Sequence, residues 1–149
     1  MIKTAALILL LATSGCGAKD GPEVNPPNAD ANDAGAATLA SSVEVEVVAD
    51  TVRVVLHVTN PTNQPVRLEF ISAQRYDFAI RTAGGMDVWT WSADKGFAAA
   101  LGSETIAPGG SLDYSEVWKA GNRKGSFVAV AQLTSTSHPI REQAAFSIQ

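Results

Sequence analysis

The chain has 149 residues, 46% of them hydrophobic, with 11 basic against 15 acidic side chains, a formal net charge of −4 and a pI near 5.0. That length holds one domain plus a short extension, and the acidic balance excludes a nucleic-acid binder, which would carry a basic face. One cysteine, Cys16, excludes an internal disulfide and a cysteine metal cluster, and neither His57 nor His138 has partners at metal-ligand spacing, so no metal or cofactor is expected.

Lys3 precedes an unbroken apolar run, Ala5 to Ala12 (AALILLLA). The run is about half the length that spans a bilayer as a helix, so it reads as the core of an export signal and not as an anchor. Thr13-Ser14-Gly15 then leads into Cys16. Small residues let a segment lie extended in a peptidase cleft, and this set resembles a bacterial lipobox, although Thr13 stands where leucine is commonest. The expectation is a lipoprotein signal peptide over residues 1–15, cleaved ahead of a diacylated Cys16. Two acyl chains give stable membrane attachment. Loss of Lys3 leaves 10 basic and 15 acidic residues, a net charge of −5. The protein is therefore expected to be exported and lipid-anchored in a bacterial cell envelope. Gly17, in place of the aspartate that retains some lipoproteins at the inner membrane, favours the outer one where two are present.

Residues 16–41 form the next unit. After Cys16 they are rich in Gly, Ala, Asn, Asp and Pro, with only Val24 and Leu39 as sizeable apolar side chains. Such a composition cannot offset the entropy of ordering, so a disordered tether is expected. The folded domain is expected over residues 42–149.

Within it, Val43, Val45 and Val47 alternate with Glu44 and Glu46, and Val54, Leu56 and Val58 alternate with Arg53, His57 and Thr59. Strict alternation puts one set on one face of a strand. Ala49-Asp50 between them suits a tight hairpin turn. His57 falls among outward-facing positions and is expected to be a solvated or hydrogen-bonded surface histidine and not a catalytic one, since nothing nearby in the sequence could orient it. Residues 60–65 (NPTNQP) make a turn, followed by a strand with Val66, Leu68 and Phe70 in phase. Tyr76, Phe78 and Ile80 alternate with Asp77 and Arg81, and Trp89 and Trp91 flank Thr90, with Ala83-Gly84-Gly85 as the turn between. These aromatics read as core, since they carry the largest apolar areas.

Asp94-Lys95-Gly96 is a turn, Phe97 to Leu101 is apolar and alanine-rich, and a short strand is expected over Ser103 to Ile106 before the Pro108-Gly109-Gly110 turn. Leu112, Tyr114 and Trp118 share a phase that also contains Glu116, which leaves either a bulge or an exposed strand end. Phe127, Ala129, Ala131 and Leu133 alternate, Thr134 to Pro139 is a polar connection, and Ala144, Phe146 and Ile148 close the domain. About eight or nine short strands with frequent turns predict an all-β antiparallel sandwich.

Several of these pieces fall in a recognisable order: Asn60-Pro61-Thr62, Pro65-Val66, Phe70, Ser72, residues 74–78 (QRYDF), residues 88–92 (VWTWS), Phe97, Leu101-Gly102, Ala107-Pro108-Gly109 and the Tyr114 to Trp118 strand. The series resembles the BsuPI family, the bacterial intracellular proteinase inhibitor domain, from about Val43 to the C-terminus. The resemblance implies an immunoglobulin-like β-sandwich and inhibition of a serine proteinase, which for an exported chain would be an envelope or secreted one. No enzyme is expected, because the G-x-S-x-G, H-E-x-x-H and phosphate-loop patterns are all missing. The alternative function is a non-inhibitory, immunoglobulin-like interaction module of the envelope. The candidate contact loops are Ala93–Ala107, with Lys95 and Phe97 as candidate partner contacts, and Thr134–Pro139; the competing reading of Phe97 is a core residue that caps the sandwich.

Overall fold

A computed structural model describes residues 38–149. The expected signal peptide, Cys16 and the linker as far as residue 37 lie outside the described residues. The described part contains nine strands: β1 (Ala40–Val48), β2 (Thr51–Thr59), β3 (Val66–Phe70), β4 (Tyr76–Thr82), β5 (Asp87–Thr90), β6 (Gly102–Ile106), β7 (Ser111–Lys119), β8 (Gly125–Leu133) and β9 (Ile140–Ile148). They pair antiparallel in three sheets, ordered β1-β2-β7, β3-β6 and β5-β4-β8-β9. The all-β antiparallel sandwich expected from alternation is the fold found. Strand β1 begins at Ala40, with Leu39 already packed against the core.

Strand β2 occupies the middle of its sheet and sets the core. Val52, Val54, Leu56 and Val58 are fully buried on its inner face. The facing sheet contributes Phe78 and Ile80 from β4, and Phe127, Ala129, Ala131 and Leu133 from β8. Val66, Leu68 and Phe70 of β3 and Ile106 of β6 close the same cluster at one end. The β1–β2 hairpin closes at Ala49, whose φ of 53° is left-handed, and Val48 pairs with Thr51 across the turn.

The inward phase of β7 holds Glu116 between Tyr114 and Trp118. Neither expected explanation applies. Register runs without a break from Thr51 opposite Lys119 to Thr59 opposite Ser111, so there is no bulge. Glu116 is half-buried within the strand and accepts a hydrogen bond from Tyr76 Oη at 2.7 Å. A polar partner across the core makes the inward carboxylate tolerable, since an unpaired one would cost several kcal/mol of solvation.

Asn60, just after β2, is fully buried. Its Nδ2 donates to the carbonyls of Gln64 at 2.7 Å and Ile106 at 3.0 Å, and its Oδ1 accepts from the Thr62 amide at 3.0 Å and hydroxyl at 2.7 Å. Its backbone bonds Gly109 and Gly110. One amide thus closes the NPTNQP turn and fixes it to the turn after β6. Asn60→Ala is expected to cost roughly 2–4 kcal/mol, because it leaves several buried groups without partners at once. Chemical denaturation would read this as a lower midpoint at unchanged slope.

Candidate functional site

The candidate site is the connection from Trp91 to Leu101 and what holds it. Inward-facing positions along β6 are Gly102, Glu104 and Ile106, and Glu104 stands opposite the buried Leu68. This carboxylate receives Arg75 Nε on Oε1 at 2.9 Å and Tyr114 Oη on Oε2 at 2.8 Å. Arg75 also donates Nη1 to the Ser72 carbonyl at 2.7 Å, and its guanidinium lies 4.4 Å from the centroid of the Phe70 ring. The pair is only 25% and 31% exposed, and charge-assisted bonds at such positions count for more than surface ion pairs. Gly102 makes the arrangement possible: a Cβ there would meet Arg75 Nη2 at 2.5 Å.

An aromatic stack continues from this network. The Tyr76 ring lies 4.8 Å from Tyr114 and 4.5 Å from Trp91, nearly parallel to the latter. Burial first, and then the Glu116 carboxylate, push the Tyr76 phenol up to about 12. Burial and the hydrogen bond to Glu104 raise Tyr114 in the same direction. Both hydroxyls are therefore donors at any physiological pH, each capping one inward glutamate.

The expected contact residues sit on top of this stack. Phe97 is half-buried with its ring 5.6 Å from Trp91, and Lys95 Nζ lies 4.9 Å from the Trp91 ring. The structure thus brings Lys95 and Phe97 together over one tryptophan. The expected loop, Ala93–Ala107, divides at Gly102, because Gly102–Ile106 is β6 and pairs with β3. Ala93 to Gly96 and Ala98 to Leu101 are exposed on either side of Phe97. Ala73 N donates to the Ala98 carbonyl at 2.9 Å, which ties the connection to the loop after β3. Ile71 and Leu101, 68% and 87% exposed, flank an open hollow of about 340 Å³ lined also by Arg67, Phe70 and Thr136.

The second expected loop, Thr134–Pro139, is laced to β3. Thr136 N donates to the Glu69 carbonyl at 2.8 Å, and Ser137 Oγ accepts from Glu69 N at 3.0 Å. It covers the edge of β3 opposite β6, which protects that edge from pairing with other chains.

His57 is a hydrogen-bonded surface histidine, as expected, but not an unoriented one. It has partners that orient it: Asp113, directly across in β7, meets Nδ1 at 2.8 Å, and Glu44 of β1 lies 3.5 Å from Nε2. The Asp113 carboxylate first, and Glu44 after it, raise the ring's pKa above the usual 6.5. Protonated His57 therefore stabilises the sheet fully below that value, and the contribution fades as pH climbs through the raised one. The two carboxylates sit at different ring nitrogens and do not converge on one point, and the hollow beside the ring, between Ala40, Ser42 and Thr59, is small, about 100 Å³.

Gly102→Ala is the substitution that probes the site's anchor. The added methyl must displace the guanidinium from Ser72 and Glu104, at an expected cost of roughly 2 kcal/mol. Amide hydrogen exchange should then rise in residues 72–75 and 96–101 ahead of the core strands.

Comparison with known proteins adds the following. The family model BsuPI, described as intracellular proteinase inhibitor, matches residues 39–138. No curated protein matches the chain. Solved structures with similar folds include a penta-heme cytochrome c552 from Thermochromatium tepidum (8% identity, TM-score 0.47), covering 72% of this chain and 39% of its own. A β-glucosidase from Erythrobacter marinus (11% identity, TM-score 0.43) covers 75% of this chain and 15% of its own. The Northeast Structural Genomics Consortium target SoR45 (15% identity, TM-score 0.40) covers 74% of this chain and 84% of its own. With TM-scores under 0.5, these likenesses carry no assignment.

Proposed function

Because the chain belongs to the BsuPI family of intracellular proteinase inhibitors, we propose that it inhibits a serine proteinase, from a lipid anchor at Cys16 in a bacterial cell envelope. The observation that carries the inhibitor reading is the extent of the family match. Residues 39–138 take in β1 to β8 and the whole Trp91–Leu101 connection, and not merely a shared core motif. The physical support is pre-organisation. A loop already held by Ala73, Trp91 and Arg75 has little conformational freedom left to lose on binding, so more of its contact energy appears as affinity.

The anchor rests on the sequence AALILLLATSGC, in which the chain's sole cysteine falls where a lipobox needs it. An exported inhibitor would meet envelope or secreted proteinases. That location differs from the family's intracellular description, and this mismatch favours a second reading, a tethered interaction module that inhibits nothing.

The two readings separate in one assay. The inhibitor reading expects the full chain, purified in detergent, to slow at least one proteinase of a subtilisin-like and trypsin-like panel at near-stoichiometric amounts while staying intact for hours. Rapid digestion, or no effect on any member, would leave the module reading. The anchor has its own test. Cys16→Ser is expected to leave an uncleaved precursor that partitions differently from wild type in detergent phase separation. Equal masses and equal partitioning would exclude lipidation.

A further inference from the structure

Leu101 has the highest exposure, 87%, of the exposed large apolar side chains among the described residues. A lone surface leucine is ordinary. This one ends an uncharged run, residues 96–102 (GFAAALG), that is held at both ends. On the upstream side, Phe97 packs on Trp91, and the Ala98 carbonyl accepts from Ala73 N. Ala100 N bonds the same Ala98 carbonyl at 2.9 Å, which closes a three-residue turn centred on Ala99. On the downstream side, Gly102 is fixed beneath Arg75 and opposite Phe70 at the start of β6. The leucine therefore projects from a pinned backbone.

We infer that Leu101 is the side chain that enters the primary specificity pocket of the target, and that the target is a proteinase with an apolar pocket and narrow neighbouring subsites. This rests on the inhibitor reading and names the partner class for it. Three alanines ahead of the leucine present nothing larger than a methyl group to the adjoining subsites. The run brings no charge, so a pocket floored by a carboxylate would bury that carboxylate unpaired against leucine. Of the neighbouring cations, Arg75 is taken up by Glu104 and the Ser72 carbonyl, Arg67 lies beside Glu69 on the wall of the hollow, and Lys95 lies over the Trp91 ring. Ile71, exposed beside the same hollow, supplies a second apolar contact next to the pocket entrance.

The geometry also fits slow turnover. Hydrolysis of the Leu101–Gly102 peptide bond would add one water, leaving a carboxylate on Leu101 and an amine on Gly102. The new ends would remain close, one held through Ala98 and the other through the β3–β6 ladder, so that rejoining competes with release.

The test uses the full chain in detergent against a proteinase that prefers leucine or phenylalanine before the cut, and against trypsin. Wild type is expected to inhibit the first and not the second. Leu101→Lys is expected to weaken the first inhibition about a hundredfold, as for a central binding residue, and to confer inhibition of trypsin. Leu101→Asp should inhibit neither. The melting midpoint should stay unchanged in each variant because the side chain is solvated. On prolonged incubation, mass spectrometry should find the first cut between residues 101 and 102. Inhibition that survives Leu101→Asp within twofold, inhibition of trypsin alone by wild type, or a first cut elsewhere would overturn the assignment of Leu101 and leave the inhibitor reading in place. Wild-type protein that inhibits neither these enzymes nor any of the wider panel would overturn both.

Discussion

The Arg75 guanidinium lies between the Phe70 ring and the Glu104 carboxylate, and three separate segments depend on it. Phe70 ends β3, Glu104 belongs to β6, and the Ser72 carbonyl that Arg75 also holds lies in the loop between β3 and β4. The cation can occupy this place only because position 102 lacks a side chain. Among the described residues, the β3-β6 sheet has two strands and no third to stiffen it. A planar cation with fixed donor directions does part of that work, which a lysine, with its single mobile charge, could not.

The same region shows how carboxylates can occupy inward positions of a sandwich. Glu104 and Glu116 both lie in the phase that elsewhere carries Ile106 and Trp118. Each receives a tyrosine hydroxyl from a different strand, and the two tyrosine rings pack on one another. Among the described residues, no buried side-chain polar atom is left without a partner. A network of this kind is costly if one member is lost and satisfied if all are present, so it ties loop position to a single arrangement of the core.

Alternation made most of the fold legible. Val52 to Val58, Phe78 with Ile80, and Phe127 to Leu133 face inward as their spacing requires. What alternation cannot supply is the partner across the sheet. Asp113 orients His57 from 56 residues away, and only the β2–β7 register puts them side by side. Glu116 looked out of place for the same reason, since its hydrogen-bond donor is Tyr76 on another sheet. The loop was partly legible. Length drew attention to the connection after Trp91, but it could not tell that Phe97 and Lys95 lean on that ring while Leu101 stands clear. Glu104 was missed, although its spacing from Ile106 already marked it as an inward position.

The stacking of Trp91 has a spectroscopic consequence. The indole lies against Tyr76 on one side and is contacted by Phe97 and Lys95 from the connection above it. Lifting that connection would expose the indole to water and remove a neighbouring ammonium. Its emission would move to longer wavelength while Trp89, packed against the core, and Trp118, 4% exposed within it, kept theirs. The chain thus carries an intrinsic fluorophore at the base of an exposed loop, and movement there can be followed by light, without a label, in the same sample that reports global unfolding through Trp118.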